Sequence, residues 1–170
     1  MKKRKKRKGI NGGTPRCPYC GSNSVLRSAD GIYYDNSRDV MLYVCKNYPK
    51  CDSYVRVHPG TNIPMGSLAN KELRAMRRDA HHHFNKLYSK GGMSKRDAYE
   101  WLAETVGLPV EKAYIGFMGE YYCSLVIEES KKALSQLSMR KNNRLREMYE
   151  AHSGSAKDRR KKHGAGREGH

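Results

Sequence analysis

The sequence predicts an α+β fold in which short antiparallel strands come first, a mostly helical part follows, and basic disordered tails flank both. Two pairs of cysteines lie 24 residues apart among short β-like runs in residues 15–60. Apolar residues then recur at helical spacing towards residue 150. Lys and Arg concentrate at the two ends of the 170-residue chain.

The uneven distribution of the net charge of +17 predicts the tails. The residues from Lys2 to Lys8 are all Lys or Arg and the last twenty carry +4, while residues 9–150 carry only +6. Blocks of like charge with few apolar side chains repel themselves and stay unfolded. We therefore expect a disordered basic arm at 1–14, a disordered basic tail at 152–170, and a polyanion as their counterpart, because binding it releases condensed counterions.

The strand part, residues 15–60, alternates β-like runs with turn clusters. The runs are "SVL", "GIYY", "VMLYV" and "SYVRV", and the turn clusters include "SADG" and "DNSRD". Such short runs bounded by Gly, Asn, Asp and Ser are typical of hairpins. The loop "HPGTNIPMG", with two prolines and two glycines, connects this part to the helices.

The helical domain, residues 61–151, is predicted to hold three helices. The first runs from about Leu68 to Ser89, with one buried face at 100° per residue. Ser94 begins the second helix, and Asp97 three residues later makes its start resemble a capping box. Gly107 and Pro109 end this helix. The third runs from about Glu120 to Glu150; its first half is apolar-faced and its second half is basic and solvated. With only 37% hydrophobic residues, the core should be modest.

The four cysteines have the spacing of a metal site. Cys17 and Cys20 form one pair, and Cys45 and Cys51 form the other. Two such pairs on hairpin turns can close a tetrahedral thiolate site around one structural Zn²⁺. A redox dithiol would need a βαβ pattern that is missing here, and two disulfides would need an oxidising compartment. A zinc site is therefore predicted in preference to a redox dithiol or two disulfides.

The two cysteine motifs, "CPYCG" and "CKNYPKC", resemble the C-terminal zinc ribbons of bacterial type IA topoisomerases. That resemblance covers about 45 residues and implies the same four cysteine ligands. It also implies binding of single-stranded DNA, by aromatic stacking beside basic residues. The candidates for that role are Arg27, Tyr33, Tyr34, Tyr43, Lys46, Tyr48, Lys50, Tyr54 and Arg56. The alternative is that several of these tyrosines only cover the small zinc core.

A longer segment, from "YVRVHPGTNIPMGSLANKELR" to "AYEWLAETVGLPVEKAYIGFM", is similar to an uncharacterised family of phage and prophage zinc-finger proteins. The matching positions are His58, Pro59, Gly60, Thr61, Leu68, Ala69, Asn70, Leu73, Arg74, His81, Phe84 and Trp101. The sequence departs from the family at Asn85, where an acidic residue is usual, and at Tyr114, where a histidine is frequent. The resemblance implies an architecture more than an activity.

The histidines of "AHHHF" do not predict a single site. On a helical wheel, His81, His82 and His83 point in three directions, so one ion cannot collect them. A metal-dependent nuclease using His81 and a nearby carboxylate such as Asp79 is therefore the least favoured alternative, and we expect no enzymatic activity. Cys123 lies on an apolar helix face and is expected to be a small buried residue rather than a reactive thiol.

The expected function is nucleic-acid binding by an accessory protein of phage or prophage type. Single-stranded DNA or RNA is favoured as the partner over sequence-specific duplex, and Arg140, Lys141 and Arg144 of the last helix add a phosphate-binding surface. The alternatives are a protein-binding module that inhibits or redirects a host enzyme or defence complex, and a ribosome-associated RNA binder. Without an apolar run of 18 residues, no membrane association is expected, and the location is expected to be cytoplasmic.

Overall fold

The computed structural model describes the backbone of residues 14–164 and the side chains up to residue 150. Residues 1–13 of the predicted arm (1–14) and the end of the predicted tail, 165–170, lie outside the described residues. The elements in chain order are β1 (Ser24–Ser28), β2 (Met41–Cys45), β3 (Tyr54–Arg56), α1 (Lys71–Ser89), α2 (Lys95–Val106), a 3₁₀ turn (Ile115–Phe117) and α3 (Glu120–Gly164). The predicted α+β class and the order of strands before helices are confirmed.

The three strands form one antiparallel sheet in the order β1-β2-β3. In its register, Leu42 of β2 stands between Arg27 of β1 and Arg56 of β3. Because successive residues of a strand point to opposite faces, these three share one face, and Tyr43 lies on the other. The register therefore sorts the side chains of the strand part, residues 15–60, which we call the ribbon, into two faces.

Each face of the sheet covers a small cluster of buried side chains. The cluster on the face of Tyr43 includes two of the cysteines, Val55, Val57 and Leu68. The cluster on the face of Leu42 includes Val44, Val40 and Ala29. Neither cluster is large, as expected for strands of three to five residues.

The run "GIYY", which the sequence predicted as β-like, is a turn instead. The backbone N–H groups of Ile32 and Tyr33 both donate to the carbonyl of Ala29, at 2.9 and 2.8 Å. Gly31 takes a left-handed backbone, with φ of 72°, that a strand does not use. The turn lays Ile32 and Tyr33 onto the cluster around Leu42, so their burial comes from covering the sheet rather than from joining it.

Helix α1 begins three residues later than predicted, because Asn70 caps it. The Asn70 side chain accepts a hydrogen bond from the Leu73 N–H at 2.9 Å, which satisfies a donor that the first turn leaves free. Leu68 and Ala69 precede the helix in extended chain, and Ala69 exchanges two backbone hydrogen bonds with Tyr54, at 3.1 and 3.2 Å. The domain boundary predicted at residue 60 stays a prediction. Ala69, which lies beyond it in the chain, pairs with Tyr54 of the ribbon.

The helices α1, α2 and the first half of α3 enclose the main core. Its largest fully buried side chains are Phe84, Leu87 and Leu102, and the predicted apolar faces of α1 and α2 both lie in it. Ser94 caps α2 as predicted, by accepting from the Asp97 N–H at 3.1 Å. Cys123 is completely buried in the same core, as predicted.

Two glycines bring the segment before α1 against the 3₁₀ turn. A Cβ added to Gly66 would lie 1.8 Å from the carbonyl oxygen of Gly116, so the two backbones meet where only glycine fits. The Ser67 N–H donates to the same carbonyl at 3.0 Å. This contact holds the connecting segment, and with it the ribbon, close to the helices.

Helix α3 continues well past the predicted end near Glu150, to Gly164. Residues 152–164 of the predicted disordered tail are therefore helical. Once a helix is nucleated, each further residue adds a hydrogen bond at little cost, and the extension contains no proline. Within the described part of the chain, no helix combines the length and the apolar character needed to cross a membrane.

Candidate metal centre and nucleic-acid interface

The first cysteine pair lies on a tight turn immediately before β1. The Cys17 N–H donates to the Ser22 carbonyl at 2.9 Å, and the Gly21 N–H donates to the Cys17 carbonyl at 3.0 Å. Gly21 has a φ of 70°, a left-handed conformation that glycine adopts without strain. This turn directs Cys17 into the cluster below the sheet and leaves Cys20 exposed.

The second pair lies on the turn that follows β2. Cys45 is the last residue of the strand and is buried, with its N–H donating to the Ser53 carbonyl at 2.9 Å. The Tyr48 N–H donates to the Cys45 carbonyl, and the Cys51 N–H donates to the Asn47 carbonyl, both at 3.0 Å. The strand end and the turn thus place both sulfurs opposite the first pair.

The four cysteine sulfurs lie close together. All four Sγ atoms lie within 4.8 Å of one another; Cys17 and Cys51 are 3.5 Å apart, and Cys20 and Cys45 are 3.3 Å apart. A tetrahedral zinc site with Zn–S bonds of about 2.3 Å places its sulfurs about 3.8 Å apart. The donor set fits zinc, and four thiolates leave no coordination position for a substrate. The centre is therefore structural.

Hydrogen bonds to the sulfurs complete the site. The Asn47 side chain donates to Cys20 Sγ at 3.5 Å and to Ser22 Oγ at 2.9 Å, and Ser53 Oγ lies 3.4 Å from Cys51 Sγ. Hydrogen bonds from the Ser22 side chain and backbone lower the pKa of Cys20 to about 6. Burial raises the pKa of Cys45 to about 12, so a bound cation is what brings this ligand to the thiolate form.

The comparison with known families agrees with this geometry. Residues 13–133 match the model of a family described as a zinc-finger-containing domain. The chain belongs to this family. The match includes the ribbon and continues through α1, α2 and the first third of α3, so the helices are part of the family's zinc-finger-containing domain. No curated protein and no solved structure matches the chain.

In this member of the zinc-finger-containing family, both cysteine turns also hold the start of α1. Tyr19, between the first two ligands, donates from its hydroxyl to the Asn70 side chain at 3.2 Å. Asp52, next to Cys51, accepts from the Lys71 N–H at 3.1 Å and from Arg74 at 3.0 Å. The metal centre is thereby coupled directly to the first turn of the helix.

The sheet face opposite the cysteines carries the basic residues predicted for nucleic-acid contact. Arg27 and Arg56 are both exposed and flank Leu42 across the three strands. Tyr54 lies on the same face in the neighbouring row, paired with Val44. The structure therefore brings two of the predicted cations and one predicted aromatic onto one surface.

The predicted tyrosines differ in how much of each ring is accessible. Tyr34 is fully exposed, whereas Tyr33, Tyr48 and Tyr54 are half-buried against the cluster around Leu42. Tyr33 and Tyr54 pack edge to face, with ring centroids 6.1 Å apart. These three rings cover the small core on one side, as the alternative to base stacking proposed, and keep an edge or face on the surface.

Tyr43 does not belong to this surface, so its prediction as a stacking residue is corrected. It is buried on the cysteine side of the sheet, and its hydroxyl donates to the Asn62 carbonyl at 3.1 Å. Strand alternation places it on the face opposite Leu42 and Val44. A ring packed into the metal-side cluster has no face left for a base.

The remaining predicted contacts are exposed but lie elsewhere. Lys46 and Lys50 are on the turn of the second cysteine pair. Arg140, Lys141 and Arg144 are on the part of α3 from residue 138 to residue 150, where every side chain is exposed. These residues lie outside the paired strands that carry Arg27 and Arg56.

The histidines do not form a metal site with one another. His81 and His82 are exposed and His83 is half-buried. Asp79, the predicted partner of His81, lies 3.4 Å from the Nε2 of His83 instead. Among the described residues, the four cysteines are the group placed to hold an ion. The nuclease alternative stays a prediction.

No binding role was predicted for the arginines of α1. Arg74, Arg77, Arg78 and His81 line a groove between the ribbon and the helices. Their spacing of i, i+3, i+4 and i+7 is that of one helical face, and this signal was present in the sequence. It was obscured because the same helix carries its apolar stripe beside them.

Proposed function

We propose that this zinc-ribbon protein is a non-enzymatic accessory protein of phage or prophage type that binds nucleic acid in the cytoplasm of the host. The observation that carries the proposal is the sheet register, which places Arg27 and Arg56 on either side of Leu42 with Tyr54 in the next row. Basic groups beside partly exposed aromatic rings are what single-stranded nucleic acid binds.

The metal supports this surface from the opposite side of the sheet. Cys45 ends β2 one residue after Val44, so fixing the sulfur also fixes the strand that carries Leu42 and Val44. Strands of three to five residues have little stability of their own, and zinc binding supplies folding free energy to such modules. The zinc in this proposal orders the binding face and takes no part in chemistry.

The charge of the chain supports an electrostatic mode of binding. The net charge is +17, and neither Arg27 nor Arg56 has a carboxylate within 4.0 Å in the described part of the chain. Each phosphate contact releases counterions, so affinity should fall steeply as salt rises. Stacking on a tyrosine adds about 1–3 kcal/mol per base with little sequence preference.

Fluorescence anisotropy with labelled single-stranded DNA, duplex DNA and RNA of equal length tests the proposal. We expect salt-sensitive binding that favours the single strands. Arg27→Gln and Arg56→Gln should each reduce the slope of log K against log salt by about 0.7 on single-stranded DNA, as expected for one lost phosphate contact. Arg96→Gln, which removes an equal charge from the exposed start of α2, should leave the slope unchanged.

Absence of salt-sensitive binding to all three nucleic acids would refute the proposal. A uniform loss in all three variants would show that only total charge matters. Preferential binding to RNA would favour the ribosome-associated alternative, which co-sedimentation with ribosomal particles then tests.

A second candidate is a protein-binding module that inhibits or redirects a host enzyme or defence complex. The exposed part of α3 favours it, because Met139 and Tyr149 there are 63% and 74% exposed. Large apolar side chains on a solvated helix are a feature of helix-in-groove recognition. Nuclease treatment separates the two candidates, since only a direct protein partner stays bound after it.

A further inference from the structure

The groove between the ribbon and the helices is a cavity of about 410 Å³, which lies within the range of small-molecule sites. The ribbon contributes Tyr33 and Tyr54 to its lining, and α2 with the 3₁₀ turn contributes Tyr99 and Ile115. Helix α1 contributes the basic stripe. The groove therefore combines aromatic rings from two parts of the fold with a row of cations.

The groove has a large excess of positive charge. Four arginines line it, Arg56, Arg74, Arg77 and Arg78, and no aspartate or glutamate does. Arg74 is the one of these four with a carboxylate partner in the described chain, Asp52 at 3.0 Å. Three positive charges in one cavity thus have no counterion from the described residues, and for the buried Arg77 this is costly unless a ligand supplies one.

Arg77 is the most informative of the four. It is 8% exposed, and it donates to three neutral oxygens: the Met118 carbonyl at 3.0 Å, the Ser67 carbonyl at 2.8 Å and Ser67 Oγ at 2.8 Å. These bonds fix the guanidinium in place but do not neutralise it. Burial accordingly lowers the pKa of Arg77, although not enough to discharge a guanidinium. A buried, oriented and uncompensated cation is a preformed partner for an anion.

Arg78 and Arg56 are placed to make direct contact with that anion. Both side chains are exposed and line the groove, and neither has a hydrogen bond or ion pair within the described residues. Arg74, by contrast, is held by Asp52 and lies over the Tyr54 ring, 3.7 Å from its centroid. Arg74 therefore rigidifies the aromatic wall, while Arg78 and Arg56 keep donors available.

We propose that this groove binds a nucleoside phosphate, with the phosphate at Arg56 and Arg78 in the field of Arg77, and the base against the tyrosines. The inference deepens the proposed function, on which it rests, by naming a pocket for one nucleotide unit beside the sheet face. A phosphate suits a cluster of guanidinium groups, which donate to it in a fork. A planar base suits the tyrosine rings, which pack with an offset or edge-to-face geometry.

The source of the nucleotide unit can be a free mononucleotide or the 5′ end of a single strand. Both present the same chemistry, a phosphate next to a base. Tyr33, Tyr54 and Arg56 belong to the groove as well as to the ribbon, so a strand on the sheet face can end in the groove. The assays below separate the two sources.

Isothermal titration calorimetry of the intact, zinc-loaded protein tests the assignment. The probes are adenosine 5′-monophosphate, adenosine and inorganic phosphate. We expect the monophosphate to bind at least tenfold more tightly than either of the other two. Arg78→Gln and Arg56→Gln should each weaken it about tenfold, and Lys131→Gln, which removes an exposed cation from α3, should not.

Two oligonucleotides of one sequence, with a 5′-phosphate or a 5′-hydroxyl, identify the source. Competition by the phosphorylated strand alone assigns the groove to a strand end, and competition by neither assigns it to free nucleotides. Arg27→Gln, outside the groove, should weaken strand binding but leave mononucleotide binding intact. Mononucleotide binding in the groove can therefore be absent while strand binding on the sheet face is present, and the reverse.

Three results would overturn the proposal. One is the absence of mononucleotide binding to the wild-type protein. Another is inorganic phosphate binding as tightly as the nucleotide. The last is an equal loss of affinity in Lys131→Gln and Arg78→Gln. Circular dichroism and zinc stoichiometry confirm that each variant is folded, and both arginines to be replaced are exposed and without structural partners.

Discussion

The ribbon buries two small clusters on opposite faces of a three-stranded sheet, whereas the helical part buries one continuous cluster among three helices. The ribbon strands are three to five residues long, while α1 alone has nineteen. Apolar burial contributes about 25 cal/mol per Å², so a region with little of it needs another source of stability. For the ribbon this source is the metal.

The two regions also differ in what they leave exposed. The ribbon displays Arg27 and Arg56 on one sheet face, whereas the helical part encloses Phe84 in its core and leaves Phe117 exposed in the 3₁₀ turn. Phe84 packs edge to face against Tyr99, with centroids 5.1 Å apart. Because the metal stabilises the ribbon in place of a large apolar core, the sheet face can carry exposed arginines beside half-buried tyrosines. Each prediction below tests a part of this contrast.

The largest expected effect is that of removing the metal. Replacing Cys45 by Ser, or chelating the zinc, should unfold the ribbon and leave the helices folded, because structural zinc contributes about 10–16 kcal/mol to small zinc-binding peptides. Hydrogen exchange read by mass spectrometry should show protection lost in residues 15–60 and kept in α1 and α2.

Cys123→Ser is the control for this experiment. It replaces a completely buried cysteine outside the metal centre and should retain one zinc per chain. Loss of protection throughout the chain in the Cys45→Ser variant would show that the two regions fold as one unit. The contrast drawn between them would then be wrong.

The next effect is that of truncating the helical core. Phe84 is 1% exposed, and Phe84→Ala should lower the free energy of unfolding by about 3–5 kcal/mol, since it leaves a cavity among packed side chains. Urea unfolding followed by circular dichroism measures this loss. Zinc stoichiometry should stay at one, because no metal ligand contacts this core.

Phe117→Ala is the matched control, since Phe117 is 47% exposed in the 3₁₀ turn and should cost less than about 1 kcal/mol. If Phe84→Ala also released zinc, the helical core would support the metal centre, and the two regions would not be energetically separate.

The features that could be predicted from the sequence are local ones. The four ligands follow from cysteine spacing, and the Ser94 cap follows from the four-residue motif that ends at Asp97. The core positions Phe84 and Leu87 follow from the 3.6-residue period. Each of these depends on residues close together in the chain, where physical chemistry constrains the pattern directly.

The features that could not be predicted depend on pairing between distant segments. Tyr43 and Tyr54 look alike in sequence, and only the β2–β3 register places them on opposite faces. Arg77 reads as one cation among many, and its burial arises because Ser67 and Met118 converge on it from both sides. The basic face of α1 is visible in the sequence, but the groove that it lines forms only through this convergence.

The smallest effect concerns the connection between the two regions. Asp52 accepts hydrogen bonds from the Lys71 N–H and from Arg74, and it places a negative charge at the N-terminus of α1. Such a charge is favourable there, and hydrogen bonds to charged groups contribute about 1.5–3 kcal/mol. Because Asp52 is 39% exposed, we expect Asp52→Asn to cost about 1–2 kcal/mol in urea unfolding.

A double-mutant cycle with Arg74→Gln separates the ion pair from the capping contact. If the pair carries the connection, the Asp52 replacement should cost less in the Arg74→Gln background, and the difference is the coupling energy. Glu104→Gln, an exposed carboxylate of α2, should change stability by less than about 0.5 kcal/mol. An Asp52→Asn variant that lost zinc would place the effect at Cys51, its neighbour in the chain. If zinc is retained and the free energy of unfolding falls as expected, this carboxylate stabilises the first turn of α1 against the metal centre. Through Arg74 it then also positions the wall of the groove.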